Sequence, residues 1–208
     1  MPDVLICVAV DAEACDLAGL GSISGTSVEV LTTGIGPVNA AVALTRFLAH
    51  HRVGTVISLG IGGAYPLSGL QVGKVACAAS ETYADLGADS PLGFLDMEAL
   101  GFPVVGDYFN RLPLDLFPTS NRLPFVTRTT CTGRTTDAQS IWARTGGAVE
   151  SMEGAAIVHT ALAHGVPVAE VRGISNMVGD RDRTAWRITE AAQAACDALI
   201  HWIEEGKC

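Results

Sequence analysis

An α/β sandwich is the architecture expected of this chain, and three observations point to it. Continuous apolar runs, which suit strands covered on both faces, alternate with stretches of helical periodicity. Glycine turns follow two of those runs, at Gly34-Ile35-Gly36 and at Gly60-Ile61-Gly62-Gly63. Apolar residues make up 49% and charged residues 17% of 208 positions, which supports a substantial core in one domain spanning 1–208.

The elements follow in order. Val4–Val10 is the first apolar run and reads as a buried strand, and Val28–Thr33 is the second. Gly34–Gly36 then turns into a helix opened by Pro37, a residue favoured at the first helical position, with Ala41, Leu44 and Leu48 on one face. Thr55–Leu59 makes another strand that ends in the glycine cluster. Val72–Tyr83 reads as one or two strands. From Asp85 to Pro124, five of the nine prolines and weak periodicity predict a long irregular excursion, with a short strand near Val104–Val105. Phe125–Cys131 returns to strand. Ser151–His164 is Ala-rich and apolar on most sides, as a buried helix is, and Gly165-Val166-Pro167 stops it. Val168–Ile174 supplies a further strand. The closing helix, from Thr184 to Glu205, carries Ala192, Ala195, Leu199, Trp202 and Ile203 at the 3.6 period, with Gly206 after it.

Charge and composition exclude several classes. Thirteen Lys plus Arg against twenty-two Asp plus Glu leave a net charge of −9, which argues against nucleic acid or an anionic membrane as partner. No apolar run approaches the roughly 18–20 residues that span a bilayer. The start, Met1-Pro2-Asp3, lacks a basic region, so no secretory signal is expected. Six dispersed cysteines form no C-x-x-C pair, which predicts reduced thiols in the cytoplasm rather than a zinc site or a disulfide framework. His50 and His51 read as helix-end residues beside Arg52, and His159, His164 and His201 as helix-surface residues rather than a metal or triad set; no Gly-x-Ser-x-Gly elbow occurs. Metalloenzyme and serine hydrolase readings therefore drop out, and no metal or cofactor is implied.

Neither glycine turn is a nucleotide fingerprint. Gly34-x-Gly36 has Asn39 at the third glycine position and no acidic residue about 20 positions on to hold a ribose. The Gly60–Gly63 cluster lacks the Gly-Lys-Ser/Thr of a P-loop. What both offer is backbone amides at the carboxyl edge of buried strands, where small polar ligands bind. Two acids stand out beside them. Glu13 lies just past the first strand and reads in isolation as a solvated helix-start residue. Glu153 opens an apolar helix, where it is either a carboxylate favoured by the helix N-terminus or a working group. In Val171-Arg172-Gly173-Ile174-Ser175-Asn176, Arg172 and Asn176 leave a buried strand and are binding candidates. The run Gly179-Asp180-Arg181-Asp182-Arg183 reads as a solvated loop capped by Asp182 or Thr184.

Five blocks, in order, resemble one superfamily. They are the Glu after the first strand, Thr33-Gly34-Ile35-Gly36, Gly60-Ile61-Gly62-Gly63, Ser151-Met152-Glu153-Gly154-Ala155-Ala156 and Val171-Arg172-Gly173-Ile174-Ser175. Together they match the nucleoside phosphorylases and the methylthioadenosine/S-adenosylhomocysteine nucleosidases. Within that superfamily three segments look most like the futalosine hydrolases: Gly63-Ala64-Tyr65-Pro66, Asp85-Leu86-Gly87-Ala88, and Gly173-Ile174-Ser175-Asn176 running on to Arg181-Asp182 and Trp186. The resemblance implies a three-layer α/β/α sandwich with a mixed central sheet. It also implies removal of hypoxanthine from futalosine by water, in an alternative menaquinone pathway, by homodimers or larger assemblies.

The resemblance also implies roles. Glu13 aligns with the carboxylate that activates water, and Met152 and Glu153 with the pair that holds the ribose. Gly62 and Gly63 fall to substrate binding, Asn176 to the purine, and Arg172 to support. Asn176 stands where the methylthioadenosine nucleosidases carry an Asp that protonates adenine; an amide offers donor and acceptor to a 6-oxopurine instead. Ser58 stands where bacterial purine nucleoside phosphorylases carry Arg, so a phosphate nucleophile lacks a charge partner and water is favoured. The nucleosidases stack a Phe on the purine in the segment that here reads Thr132-Gly133-Arg134-Thr135-Thr136; Tyr65, Tyr83 or an excursion residue are the substitutes. Arg181, Arg134, Arg183 and Arg111 are candidates for the substrate's benzoate. The alternatives are a methylthioadenosine/S-adenosylhomocysteine nucleosidase, a purine nucleoside phosphorylase, and a nucleoside-binding protein without catalysis.

Overall fold

The computed structural model describes residues 2–114, 116 and 122–206. Its strands are β1 (Val4–Val8), β2 (Ser22–Ile23), β3 (Thr26–Thr32), β4 (Thr55–Ala64), β5 (Val75–Tyr83), β6 (Gly87–Ser90), β7 (Gly93–Asp96), β8 (Arg111–Pro113), β9 (Arg122–Thr127), β10 (Val149–Ser151) and β11 (Val168–Met177). Its helices are α1 (Pro37–Leu48), α2 (Met97–Leu100), α3 (Thr135–Thr145), α4 (Gly154–Ala163) and α5 (Ile188–Glu204). The central sheet runs β10-β9-β5-β11-β4-β1-β3-β2, with β8 on β5. It is mixed: β1, β3, β4 and β11 run parallel, whereas β5 is antiparallel to β11.

Alternation along β1 sets the layers. Leu5 and Cys7 pack with Ala40 and Leu44 of α1 and Ala156 and Ile157 of α4, while Val4, Ile6 and Val8 pack with Ala195, Cys196 and Leu199 of α5. Every residue of β1 is buried, as its unbroken apolar run requires. The result is a three-layer α/β/α arrangement with a mixed sheet between two helical layers.

Boundaries moved where packing outweighed local pattern. β4 continues five residues past Leu59, through its glycines, because neighbouring side chains occupy the space that other residues would fill. β5 is one strand. The helix expected from Ser151 starts at Gly154, because Val149–Ser151 pairs in parallel with Phe125, Val126 and Thr127 of β9. The closing helix begins at Ile188 rather than Thr184. Asp182 Oδ1 accepts from the Thr184 amide and caps a 3-10 turn, Arg183–Ala185, and Trp186 then returns to extended backbone.

The excursion is more regular than its prolines suggested. β6 and β7 form a hairpin across Ser90-Pro91-Leu92-Gly93, α2 follows with Asp96 as its cap, and β8 joins β5. The strand expected near Val104–Val105 reduces to a single bridge between Val105 and Tyr108. Residues 115 and 117–121 of the excursion lie outside the described residues. α3 has only Ala138, Ile141 and Trp142 on its apolar side, too weak a period to announce a helix. Cys7, Cys15, Cys131 and Cys196 are thiols, and Cys208 lies outside the described residues. Among the described residues no helix is long and apolar enough to cross a membrane.

Candidate active site

The carboxyl ends of β1, β3, β4 and β11 converge on one edge of the sheet, where open α/β sheets bind ligands. A cavity of about 440 Å³ opens there, a volume suited to a small ligand. Glu13, Gly62, Gly63, Met152, Glu153, Asn176 and Arg181 all line it, although they come from both ends of the chain. Arg172 does not line it; this side chain is buried behind the wall.

Glu13 ends a 3-10 turn that follows β1 and is buried rather than solvated. Its Oε2 accepts from the Ala9 amide at 3.1 Å and its Oε1 from the Ile61 amide at 3.1 Å. The carboxylate thus ties β1 to β4. It can approach β4 so closely because residue 60 is glycine: a Cβ there would stand 2.9 Å from Glu13 Oε1 and 2.6 Å from Arg172 Nη1. The Cys196 thiol of α5, 3.3 Å from the Glu13 carbonyl, holds the backbone of the turn.

Glu153 occupies the cap position of α4, yet its side chain makes no capping bond. Instead Oε1 accepts from the Gly36 amide at 2.8 Å, across 117 positions of sequence. Gly36 presents that amide from a φ of 91°, a conformation that glycine adopts without strain. Burial raises the Glu153 carboxyl above its ordinary value, while Arg172 and the Gly36 amide act in the opposite direction. Helix-end stabilisation therefore does not account for the placement of this side chain.

Asn176 reaches the cavity through an irregularity in β11. The register with β4 shifts between Ile174 and Asn176, so that Asn176 faces Gly63. Its Oδ1 accepts from Ser175 Oγ at 2.8 Å and its amide nitrogen donates to the Met177 carbonyl at 3.1 Å. Gly63 leaves room, since a Cβ there would meet Asn176 Nδ2 at 3.1 Å.

A second wall forms around Glu150, which the sequence did not single out. It accepts from the Thr132 amide (2.8 Å), Thr132 Oγ1 (2.6 Å) and the Tyr65 hydroxyl (2.6 Å). Burial, then the charge of Glu150, push the Tyr65 phenol far up, so it stays a neutral donor. Tyr65 is fully buried in this network, and Tyr83 pairs with His159, so neither lines the cavity. The aromatic that does is Trp186, with the Arg181 guanidinium 5.2 Å from its ring centre. Its signal was spacing alone, ten residues after Asn176; the break before α5 turns it inward. Of the other candidate arginines, Arg134 pairs with Asp137, Arg111 donates to Ser80, and Arg183 is exposed; none lines the cavity.

Fold and pocket together define a phosphorylase-type α/β protein, and the comparisons agree. The sequence model of the Phosphorylase superfamily matches residues 16–204. A futalosine hydrolase of Thermus thermophilus is 36% identical over 195 residues, covering 88% of this chain and 84% of that protein. One from Streptomyces coelicolor is 38% identical over 181 residues, covering 82% and 76%. The chain belongs to the Phosphorylase superfamily and, within it, to the futalosine hydrolase family. Solved structures share the fold. The futalosine hydrolase of Helicobacter pylori has a TM-score of 0.80 at 14% identity and covers 98% of each chain. An S-adenosylhomocysteine nucleosidase of Streptococcus pyogenes has a TM-score of 0.81 at 20% identity, covering 97% of this chain and 96% of that one.

Proposed function

We propose that the protein hydrolyses the N-glycosidic bond of futalosine, yielding hypoxanthine and dehypoxanthine futalosine. The observation that carries this reading is the meeting of Glu13, Glu153 and Asn176 in one cavity, in a chain of this family. Glu13 takes the proton from the attacking water as its oxygen bonds to the anomeric carbon. Glu153 accepts from the ribose hydroxyls, which gain acidity as the sugar becomes oxocarbenium-like, and Met152 lies under the ring. The C–N bond breaks with its electron pair going to the purine, where the Asn176 amide meets the growing charge; the departing anion takes a proton from solvent as Glu13 returns its own to solvent. Gly62 and Gly63 leave the space for it, and Arg172 acts from behind the wall. Arg181, beside Trp186 on the cavity lining, receives the aryl carboxylate.

Water as nucleophile is supported by the cations. Ser58 is buried and accepts from Arg172 Nη2 at 2.8 Å, and Arg172 is in turn held by Glu170. Arg181 is the one Lys or Arg among the described lining residues, too few for an oxyanion such as phosphate beside the substrate's own carboxylate. Ile35 on the cavity lining and the exposed Val38 and Val42 of α1 support a homo-oligomer that covers them.

The test is chromatography of futalosine incubated with the protein in phosphate-free buffer. Release of hypoxanthine without added phosphate is the expected result. Turnover of methylthioadenosine instead, or turnover only with phosphate, would overturn it in favour of the nucleosidase or the phosphorylase. Ligand-induced stabilisation with no turnover of any nucleoside would mark a binding protein.

A further inference from the structure

Behind the cavity wall, Arg172 belongs to a larger group of buried charges, of which the reaction above leaves Glu81 unused. Glu170 and Arg172 sit two apart on β11, and Arg172 Nε donates to Glu170 Oε1 at 2.8 Å with both side chains buried. The far end of the guanidinium reaches Ser58 and comes beside Glu13 at Gly60. On the other side of Glu170 stands Glu81 of β5, with no exposed surface. Glu81 Oε2 accepts from the Thr82 amide and from Thr127 Oγ1, each at 3.0 Å. Glu81 Oε1 and Glu170 Oε2, however, have no donor within reach among the described residues. Both close on one point: a Cβ on Gly154 would lie 2.2 Å from the first and 2.5 Å from the second.

Two buried acceptors that face each other without a donor repel, and each also loses its hydration. One shared proton removes both costs. We propose that Glu81 carries a proton on Oε1 and donates it to Glu170 Oε2, which makes Glu81 a positioning residue acting through Glu170 and Arg172 on Glu13 and Glu153. With Glu81 neutral, one negative charge on Glu170 balances Arg172, and the guanidinium keeps its reach toward Glu13. With Glu81 ionised, a second negative charge would compete for the Arg172 guanidinium and weaken its attraction for Glu13 beside Gly60.

Among the described residues no donor other than a shared proton reaches the two facing oxygens. The charged and titratable groups facing the pair are Arg172 on β11, Tyr83 on β5, His159 of α4 bonded to Tyr83, and the acids Glu153 and Glu13. Burial keeps Tyr83 and His159 neutral. The same burial, then Glu170, holds the Glu81 carboxyl well above its ordinary 4.5, against the smaller opposing effects of Thr127 and Arg172. Gly154 allows the approach, since any side chain there would wedge the pair apart.

Infrared spectroscopy tests the proton directly and independently of the proposed substrate. At about pH 8, where free glutamates are ionised, the wild type should retain a protonated-carboxyl C=O band that Glu81→Gln lacks. The activity arm rests on the proposed hydrolysis. Glu81→Gln supplies an N–H in place of the O–H, so it should keep the wild-type rate. It should also lack any fall in rate that accompanies ionisation of Glu81 in wild type. Glu81→Leu, which leaves Glu170 Oε2 without a donor, should lose about tenfold or more in kcat with KM less affected. Absence of the infrared band, or a Gln variant as slow as the Leu variant, would overturn the proposal. A band that persists with no turnover of futalosine would count against the substrate and not against the shared proton.

Discussion

Glu13 accepts from two backbone amides, of Ala9 and Ile61, which fix the position of its carboxyl group. A side chain so held can take a proton from water without first reorganising, and this is the form general base catalysis needs. Glu13→Gln keeps the shape and removes the basicity. Its kcat for hypoxanthine release should fall roughly 100- to 10,000-fold, with little change in KM, and unchanged kcat would remove Glu13 from the role of base. Arg181 is a binding group in the same scheme. Arg181→Ala should raise KM for futalosine about tenfold or more and leave inosine-like substrates, which lack the aryl carboxylate, unaffected. Equal loss on both would sink that assignment. Both were singled out only through the family resemblance of their segments, since the residues alone read Glu13 as a solvated helix-start residue, which is in fact buried, and Arg181 as part of a solvated loop. Glu81 and Glu150 were not. An isolated Glu in a strand-like run carries no sign of the partner that burial will give it.

At the scale of elements, β4 organises the site. Its glycines look in sequence like a turn, but the strand runs through them, and the absent side chains make the floor against which Glu13, Arg172 and Asn176 press. Arg172 cannot swing aside for a new Cβ, being fixed by Glu170 at one end and Ser58 at the other. Gly60→Ala should therefore destabilise the fold by about 1–3 kcal/mol and lower kcat more than KM, as read by urea unfolding and steady-state hydrolysis. A variant with wild-type kcat would show that the tight approach at Gly60 is dispensable. The short strand β10 teaches a related lesson. Val149-Glu150-Ser151 reads as the lead-in to a helix, and only the neighbouring β9 makes it a strand. The break before α5 is likewise a tertiary choice, capped locally by Asp182 and retained where Trp186 meets the cavity.

Across the whole molecule, folding takes protons with it. Glu81 and Glu153 both have raised values when folded, so between the ordinary 4.5 and those raised values the native state binds protons that the unfolded chain has lost. Stability then falls as pH rises through that window, by at most about 1.4 kcal/mol per pH unit for each such group. Urea unfolding from about pH 5 to about pH 8 should show stability changing less favourably with pH in wild type than in Glu81→Gln, because Glu153 and the oppositely shifted His159 act alike in both. Parallel slopes would mean that Glu81 is ionised in the native state. The sequence by itself determined the layering. Unbroken apolar strands must be covered on both faces, and Ala-rich and amphipathic helices are what cover them. It also placed Glu13 and Asn176 after strands and Glu153 at the start of a helix, because turn position is a local property. Only the tertiary structure decided which carboxylates stand alone and which share a proton, and that Arg172 lies behind the wall rather than on it. Those outcomes depend on distances between strands far apart in the chain, and on the loss of water when they close.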